Sequence, residues 1–334
     1  MKAVVFDGRN LTLKELSKPS PAANQVLIQV RAVGICGTDR AIAKGDLKTP
    51  VPLVLGHEFA GEVIAEKSDT DITWLKKRVT SEINTNSCGK CFFCDRNIPT
   101  QCPERKALGI HTNGVMADYI ALDSSLLHEV PKSISFNEAT FIEPLAAAYQ
   151  TFETMPLETD DRLLVIFGMG KLGLLLLQVA KTKGLEIIAI DGSNKKLTLA
   201  RQLGASHVVN RHRYDSVSQA ILDIGKMADI VVDATGNPKV LNEIISSCRS
   251  RGKLHIKSTH GAPTTINLTE MVQREITLYT SRCGPFEKAI QGLKSQQIKV
   301  NDLITQIYPL EKALEAFESD GKNRDNIGTI LINP

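Results

Sequence analysis

Between residues 163 and 279 the chain alternates short, mainly apolar stretches with amphipathic helical patterns, and this rhythm restricts the fold more than any other feature. The apolar stretches fall at 163–167, 187–190, 207–209, 230–233, 254–256 and 276–279. Strands that are apolar on both faces must be covered on both faces, and helices between them make them parallel. One intervening helix shows Leu197, Ala200, Arg201 and Leu203 at helical spacing and closes at Gly204, a residue suited to a left-handed cap. The pattern predicts a doubly wound parallel sheet. At its first strand-to-helix junction stands Gly168-Met169-Gly170-Lys171-Leu172-Gly173. In this context the first glycine permits a tight turn, the second lets backbone approach a pyrophosphate, and the third allows close helix packing. Asp191 ends the next strand, where a carboxylate can accept hydrogen bonds from an adenosine ribose and repel a 2′-phosphate. NAD(H) is therefore favoured over NADP(H), although Lys195 and Lys196 lie near enough to keep the second nucleotide open.

The segment before this block reads differently. Val26, Ile28, Val30 and Ala32 alternate with Leu27, Gln29, Arg31 and Val33, the period of a strand, and Gly, Pro and Asp punctuate the segments after it. A mainly β domain is expected there. After Pro285 come a helical segment, a loop near Asp302, a helix around 310–317 and a strand at 329–332; periodicity does not show whether they rejoin the first domain.

Length and charge narrow the partners. A chain of 334 residues that is 42% hydrophobic can bury two ordinary cores. Its 40 basic and 37 acidic side chains leave a net charge of +3, with no electrostatic reason for a nucleic-acid or membrane partner. A small molecule is the expected partner. The apolar stretch at 3–6 is too short for a signal peptide, and the run at 172–180 contains Gln178 and meets Lys181, so a cytoplasmic location is expected.

Four of the seven cysteines crowd together as Cys88, Cys91, Cys94 and Cys102. In a reducing compartment such crowding indicates metal rather than disulfides. Four thiolates suit tetrahedral zinc, with no position left for a substrate, so the site is structural; iron–sulfur clusters use similar spacings. A second group, Cys36, His57, Glu58 and Glu143, is scattered, and spacing alone does not unite it.

These elements resemble, over essentially the whole chain, the zinc-containing medium-chain dehydrogenase/reductase family. The matching motifs occur in the family's order: GICGTD at 34–39, GHEFAGEV at 56–63, the four-cysteine lobe, EPL at 143–145, the glycine fingerprint and Asp191. Within the family the chain is closest to an uncharacterised alcohol-dehydrogenase-like branch, through EIN before the lobe, EPLAAA, the KST turn at 257–259 and SRCGPF at 281–286. The resemblance implies a Rossmann sheet inserted in a GroES-like, mainly β catalytic domain. The expected limits are 1–144 with 287–334 for the catalytic domain, its structural zinc lobe about 84–105, and 145–286 for the nucleotide domain.

The resemblance also implies two zinc ions per chain. Cys36, His57 and Glu143 would hold the catalytic one, with Glu58 in or near the same shell, and zinc would lower the pKa of a bound hydroxyl. Thr38 would accept a hydrogen bond from that hydroxyl and relay its proton outward while the nicotinamide takes hydride. Glu143, where simple alcohol dehydrogenases often carry cysteine, moves the expected substrate toward polyols, sugars and related secondary alcohols. Asp39 reads as a supporting group rather than a base. A homodimer or homotetramer is implied. There are departures too. Ala41 replaces the histidine that often ends the proton relay, and Gly328 replaces a basic residue before the last strand, a role Lys322 or Arg324 would have to take. Lys76 and Lys77 replace a Gly-Asp turn. His111 reads as facing either substrate or solvent, Cys248 and Cys283 as buried thiols, and Lys257 and Ser258 as close to the nicotinamide. The competing reading is a non-catalytic NAD(H)-binding sensor or interaction protein on the same fold.

Overall fold

In the computed structural model, residues 1–67, 73–225, 227–259 and 263–333 are described. The chain divides into two compact units. Unit 1 comprises Met1–Glu143, Phe286–Lys294 and Leu303–Pro334, and unit 2 comprises Pro144–Pro285 and Ser295–Asp302. No helix among the described residues is long and apolar enough to cross a membrane.

Unit 1 opens with strands β1 (Lys2–Phe6), β2 (Leu11–Glu15) and β3 (Gln25–Gly34), helix α1 (Gly37–Ala43), and strands β4 (Leu53–Val54), β5 (Glu58–Lys67) and β6 (Arg78–Ser81). The short strands β7 (Asn84–Thr85) and β8 (Lys106–Ala107) bracket the cysteine lobe, and β9 (Tyr119–Asp123), β10 (Leu127–Glu129) and α2 (Phe136–Ala139) come next. Helix α3 (Ile142–Thr154) leaves the unit. Pro144 lies in its first turn, where a missing N–H has no helical acceptor to lose.

Unit 2 carries β11 (Leu163–Phe167), α4 (Lys171–Thr182), β12 (Glu186–Asp191), α5 (Asn194–Leu203), β13 (His207–Asn210), α6 (Val217–Asp223), β14 (Ala228–Asp233), α7 (Leu241–Ser246), β15 (Cys248–Ile256), α8 (Leu268–Gln273) and β16 (Thr277–Thr280). Its strands form one sheet in the order β13-β12-β11-β14-β15-β16, and every pairing is parallel. That is the doubly wound order with the switch point beside β11. All five residues of β11 are buried, as the apolar pattern requires. Gly204 closes α5 with φ 114°. Gln178, the polar residue inside the apolar run at 172–180, is buried because its amide exchanges hydrogen bonds with the backbone of Lys299 at 2.8 and 3.0 Å.

Helix α9 (Phe286–Lys294), strand β17 (Ile304–Pro309), helix α10 (Ala313–Lys322) and strand β18 (Gly328–Ile332) complete the chain. The question periodicity leaves open is answered by register: β18 pairs antiparallel with β3, Ile330 opposite Gly34 and Ile332 opposite Ala32. The large sheet of unit 1 runs β10-β6-β5-β3-β18-β17, with β9 also on β3. Strand β17 is an addition to the elements expected from sequence. None of its residues is buried, so it carries no apolar alternation to read.

One buried titratable group in unit 2 has a thermodynamic consequence. His255 on β15 is 0% exposed, and its Nε2 lies 3.2 Å from Ser281 Oγ. Burial, assisted by the charge of Lys257, pulls its pKa from 6.5 down to about 4. Between those values the unfolded chain binds a proton that the folded chain does not, so stability falls as pH falls from 6.5 to 4 and the loss is complete below 4. We expect this group to contribute on the order of 3 kcal/mol to that slope. Melting temperatures measured across this window should fall less steeply for His255→Gln than for the parent; parallel curves would refute the assignment.

Candidate active site and nucleotide cradle

The catalytic cluster is built by one antiparallel register. Gly34 at the end of β3 faces Glu58 at the start of β5, which brings Cys36, just beyond β3, to His57, just before β5. A sulfur of Cys36, a ring nitrogen of His57 and a carboxylate oxygen of Glu58 all lie within 4.8 Å of one another. His57 and Glu58 are buried and Cys36 is half-buried. Soft sulfur, imidazole and carboxylate together are a zinc donor set.

Asp39 organises the cluster from below. Fully buried, it accepts hydrogen bonds from the Cys36 amide at 2.8 Å and the Gly56 amide at 3.2 Å, and its Oδ1 lies 3.5 Å from His57 Nδ1. Burial opposes a charged imidazole, but the negative charges of Asp39 and Cys36 outweigh it and hold the His57 pKa well above its usual value. Gly56 itself is left-handed, at φ 94°. The loop at 109–116 presses on its backbone so closely that a Cβ on Gly109 or Gly114 would lie 2.2 or 2.1 Å from the Gly56 carbonyl oxygen.

Thr38 is the second residue of α1 and half-buried, and its hydroxyl makes no hydrogen bond among the described residues. Glu143, half-buried in the first turn of α3, stands outside the group that converges within 4.8 Å. The structure thus unites three of the four scattered residues and leaves Glu143 apart.

In the lobe the four sulfurs of Cys88, Cys91, Cys94 and Cys102 also converge within 4.8 Å. The Cys91 and Cys94 sulfurs are 3.6 Å apart, close to the ~3.8 Å that tetrahedral Zn–S bonds of ~2.3 Å impose. All seven cysteines are free thiols, so no disulfide competes for these sulfurs. Pairing of β7 with β8 closes the base of the lobe. A hydrogen bond from the Cys88 amide holds the Cys102 thiol down to about 7 against its burial. Burial and the neighbouring Cys91 push Cys94 up to about 11.

In unit 2 the three fingerprint glycines have three separate causes. Gly168 has φ 93° and would place a Cβ 2.8 Å from the Ala234 carbonyl oxygen. A Cβ on Gly173 would sit 1.8 Å from the Gly168 carbonyl oxygen. Gly170, the N-cap of α4, has an ordinary φ of −74°, and a Cβ there would meet nothing within 4 Å. Neither strain nor packing accounts for it; the open space at a helix N-terminus fits an approaching pyrophosphate. Lys171 and Leu172 begin α4. Asp191 accepts the amides of Met169 at 2.7 Å and Ser193 at 2.8 Å, which ties the phosphate loop to the end of β12.

Other residues singled out by sequence have clear places. Gly328 is buried, and a Cβ there would lie 2.7 Å from the Leu303 carbonyl oxygen, so packing leaves no room for a basic side chain. Lys322 is exposed beside Glu318, and Arg324 is exposed. His111 is exposed and its Nδ1 accepts the Ala107 amide, a structural use at the lobe's edge. Lys257 donates to Ser281 Oγ at 2.8 Å, and Ser258 donates to Asp233 at 2.6 Å. Cys248 is buried, with its thiol pushed up to about 12 by that burial; Cys283 is only half-buried, which corrects its expected burial. Lys76 forms an exposed turn at φ 63°.

Comparison with known proteins agrees with this geometry. Residues 22–132 match the alcohol dehydrogenase GroES-like domain and residues 172–295 the zinc-binding dehydrogenase domain. A D-arabitol-phosphate dehydrogenase of Enterococcus avium is 34% identical over 330 residues, covering 96% of this chain and 93% of that one. A sorbitol dehydrogenase of Halalkalibacterium halodurans is 28% identical over 321 residues, 93% of each. A solved zinc-binding dehydrogenase of Sinorhizobium meliloti 1021, bound to NADP, superposes with a TM-score of 0.91 at 26% identity, covering 99% of both chains. The chain belongs to the zinc-type medium-chain alcohol and polyol dehydrogenase family. It is accordingly a zinc-dependent, NAD(P)-linked oxidoreductase with a GroES-like and a Rossmann domain, and a sensor without turnover is not favoured.

The glycine analysis separates binding from folding. We expect Gly170→Ala to leave the melting temperature unchanged while weakening NADH binding at least about tenfold, the cost of one lost charge-assisted contact. Gly173→Ala should instead lower the melting temperature, because backbone must move. Calorimetric titration and thermal melts on both variants check this; equal loss of stability would refute it.

Proposed function

We propose that the protein oxidises a secondary hydroxyl of a polyol, sugar or similar small alcohol, and reduces the corresponding carbonyl, with NAD(H) favoured over NADP(H). The convergence of Cys36, His57 and Glu58 within 4.8 Å of one another, with Asp39 beside His57, carries this reading. A catalytic zinc would be held by Cys36, by His57 through the nitrogen turned away from Asp39, and by a carboxylate, Glu143 in the working state with Glu58 able to exchange into its place. The four lobe cysteines would hold a second zinc, which has a structural role. Zinc supplies Lewis acidity to the hydroxyl, and the nicotinamide supplies the hydride acceptor.

The remaining work falls to the chain's own groups. Asp39 keeps the imidazole oriented, as carboxylate partners of metal-bound histidine do. Thr38, whose hydroxyl lacks an internal partner among the described residues, accepts the substrate's proton. Ala41 offers no onward acceptor on α1, so the proton passes from Thr38 to solvent. Asp191 presents lone pairs to the ribose and a negative charge to any 2′-phosphate, which supports the NAD preference.

The polyol class draws support from Glu143 and from the two polyol-type relatives. The domain limits 1–144 with 287–334 and 145–286 draw support from the division of the chain near Glu143 and Pro285. A homodimer or homotetramer is supported by β16, an edge strand with exposed Leu278, and by exposed Leu268 and Val272 on α8. The free thiols agree with a cytoplasmic location.

The test is metal analysis and NAD reduction on one sample across alcohols, polyols, aldoses and hydroxy amino acids. We expect two zinc ions per chain. Cys36→Ala should retain one and lose turnover by at least about a thousandfold. Asp39→Asn should weaken only the catalytic zinc, roughly 10- to 100-fold. Full zinc content and turnover in Cys36→Ala would overturn the proposal, and NADH binding with no turnover on any substrate would favour a sensor.

A further inference from the structure

Helix α1 begins directly after Cys36, carries Thr38 and Asp39, and is seven residues long, too short to hold its place by its own hydrogen bonds. Two successive side chains fix it from different directions. Asp39 reaches back to the amides of Cys36 and Gly56. Arg40, about 100° further round the helix, reaches α10, where its Nη1 donates to Asp320 Oδ2. The Asp320 side chain is 4% exposed and that of Arg40 38%, so the carboxylate is the buried member of the pair. Asp320 belongs to a buried polar network. Its Oδ1 accepts Asn326 Nδ2 and, at 3.1 Å, the Thr329 hydroxyl. Asn326 Nδ2 also donates to Thr329 Oγ1 at 2.7 Å, and Asn326 Oδ1 accepts the Thr305 hydroxyl. The Thr329 carbonyl in turn accepts the Ile35 amide at 2.9 Å. The C-terminal segment therefore holds the chain just before Cys36 and, through Asp320 and Arg40, just after Thr38. The guanidinium folds back over the first turn of α1, as helical side chains lean toward the N-terminus: within 4 Å a Cβ on Gly37 would meet only Arg40 Nη2, at 3.6 Å. All of these groups belong to unit 1.

We propose that Arg40 and Asp320 are positioning residues for the reaction: their ion pair fixes the rotation of α1 and with it the place of the Thr38 hydroxyl. This rests on the reading of Thr38 as the group that receives the substrate's proton. The two buried carboxylates divide the work. Asp39 bonds the backbone at Cys36 and Gly56, on either side of the metal ligands. Asp320 acts through Arg40 on the turn between Gly37 and Arg40, where Thr38 lies. With one anchor alone α1 is free to swing about the other, and a displacement of about 1 Å at a reacting group can cost about a hundredfold in rate. Cys36 and His57 keep their spacing through Asp39. Loss of the pair is therefore felt in turnover and not in the binding of zinc or nucleotide.

Removing one member of a buried pair leaves the other uncompensated and lowers stability whatever its role, whereas a neutral pair of similar size spares it. Asp320→Asn, Arg40→Gln and the two together are therefore compared by thermal melts, metal analysis, NADH titration and kinetics with NAD and the most rapidly oxidised alcohol of the panel above. We expect each single variant to melt below the parent and the double variant to recover most of that loss. The double variant should keep the parent's zinc content and bind NADH within about twofold of it, with KM within about threefold, while kcat falls at least about tenfold. Its solvent deuterium isotope effect on kcat should exceed the parent's, because the proton's acceptor is misplaced. Arg40→Lys, which keeps the charge, should recover part of the rate. In a Thr38→Ala background the double substitution should cost nothing further, as expected of residues that act as one unit. Parental kcat in a double variant that melts like the parent would make the pair structural only and overturn the proposal. Loss of zinc in step with turnover, or an equal further loss in the Thr38→Ala background, would overturn it as well. If Thr38→Ala alone keeps parental turnover, the proton-acceptor reading falls and this inference with it.

Discussion

A single buried carboxylate holds the catalytic half of this protein in register. Asp39 has no exposure to solvent, and its oxygens accept the amides of Cys36 and Gly56, with the ring of His57 3.5 Å away. Each hydrogen bond to a charged acceptor contributes about 1.5–3 kcal/mol, and loss of partners would leave a buried charge uncompensated. The two amide donors come from just beyond β3 and from the residue before His57. One side chain thereby fixes the spacing of the sulfur and imidazole that a metal requires. Glycine makes this possible: Gly56 takes a left-handed turn, and Gly109 and Gly114 bring a second backbone within contact of it.

Unit 2 reaches the same end by a different route. Its phosphate loop is defined by one glycine that must be left-handed, one that must let backbone pass, and one that leaves room for a ligand. The first two are demands of the fold and the last is a demand of chemistry, and only Gly170 can be altered without disturbing the chain. Asp191 links the loop to β12 through the Met169 amide, so the carboxylate at the end of β12 braces the glycine loop. Among the buried polar residues of this unit, Lys253 meets Asp161 at 2.7 Å and the Pro156 carbonyl at 2.9 Å, and burial holds the His255 pKa down to about 4.

Local patterns proved legible and distant conjunctions did not. The six stretches read in unit 2 correspond to its six strands; burial on both faces leaves a mark on β11, β12 and β14, whereas the edge strands β13 and β16 are largely half-buried or exposed. Strand β17 left none, since every residue in it is at least partly exposed. The lobe cysteines were readable as a set because three of them lie within one short segment. Cys36, His57 and Glu58 were not readable from spacing, because the β3–β5 register unites them; only resemblance to a family suggested them beforehand. The press of Gly109 and Gly114 on Gly56 had no signal beyond the glycines themselves.

By itself the sequence determined the class of each half: alternating apolar strands and helices with a glycine fingerprint, a β-rich remainder, and a four-thiol lobe. These arise from local preferences and from the burial that repeating apolar residues impose. Tertiary structure decided what those parts become together. It joined the C-terminal strand β18 to β3, and brought a sulfur, an imidazole and a carboxylate within 4.8 Å of one another while leaving Glu143 outside that group. Such outcomes depend on which strand pairs with which and on how closely two backbones can approach, and neither quantity is written in the order of residues along a single segment.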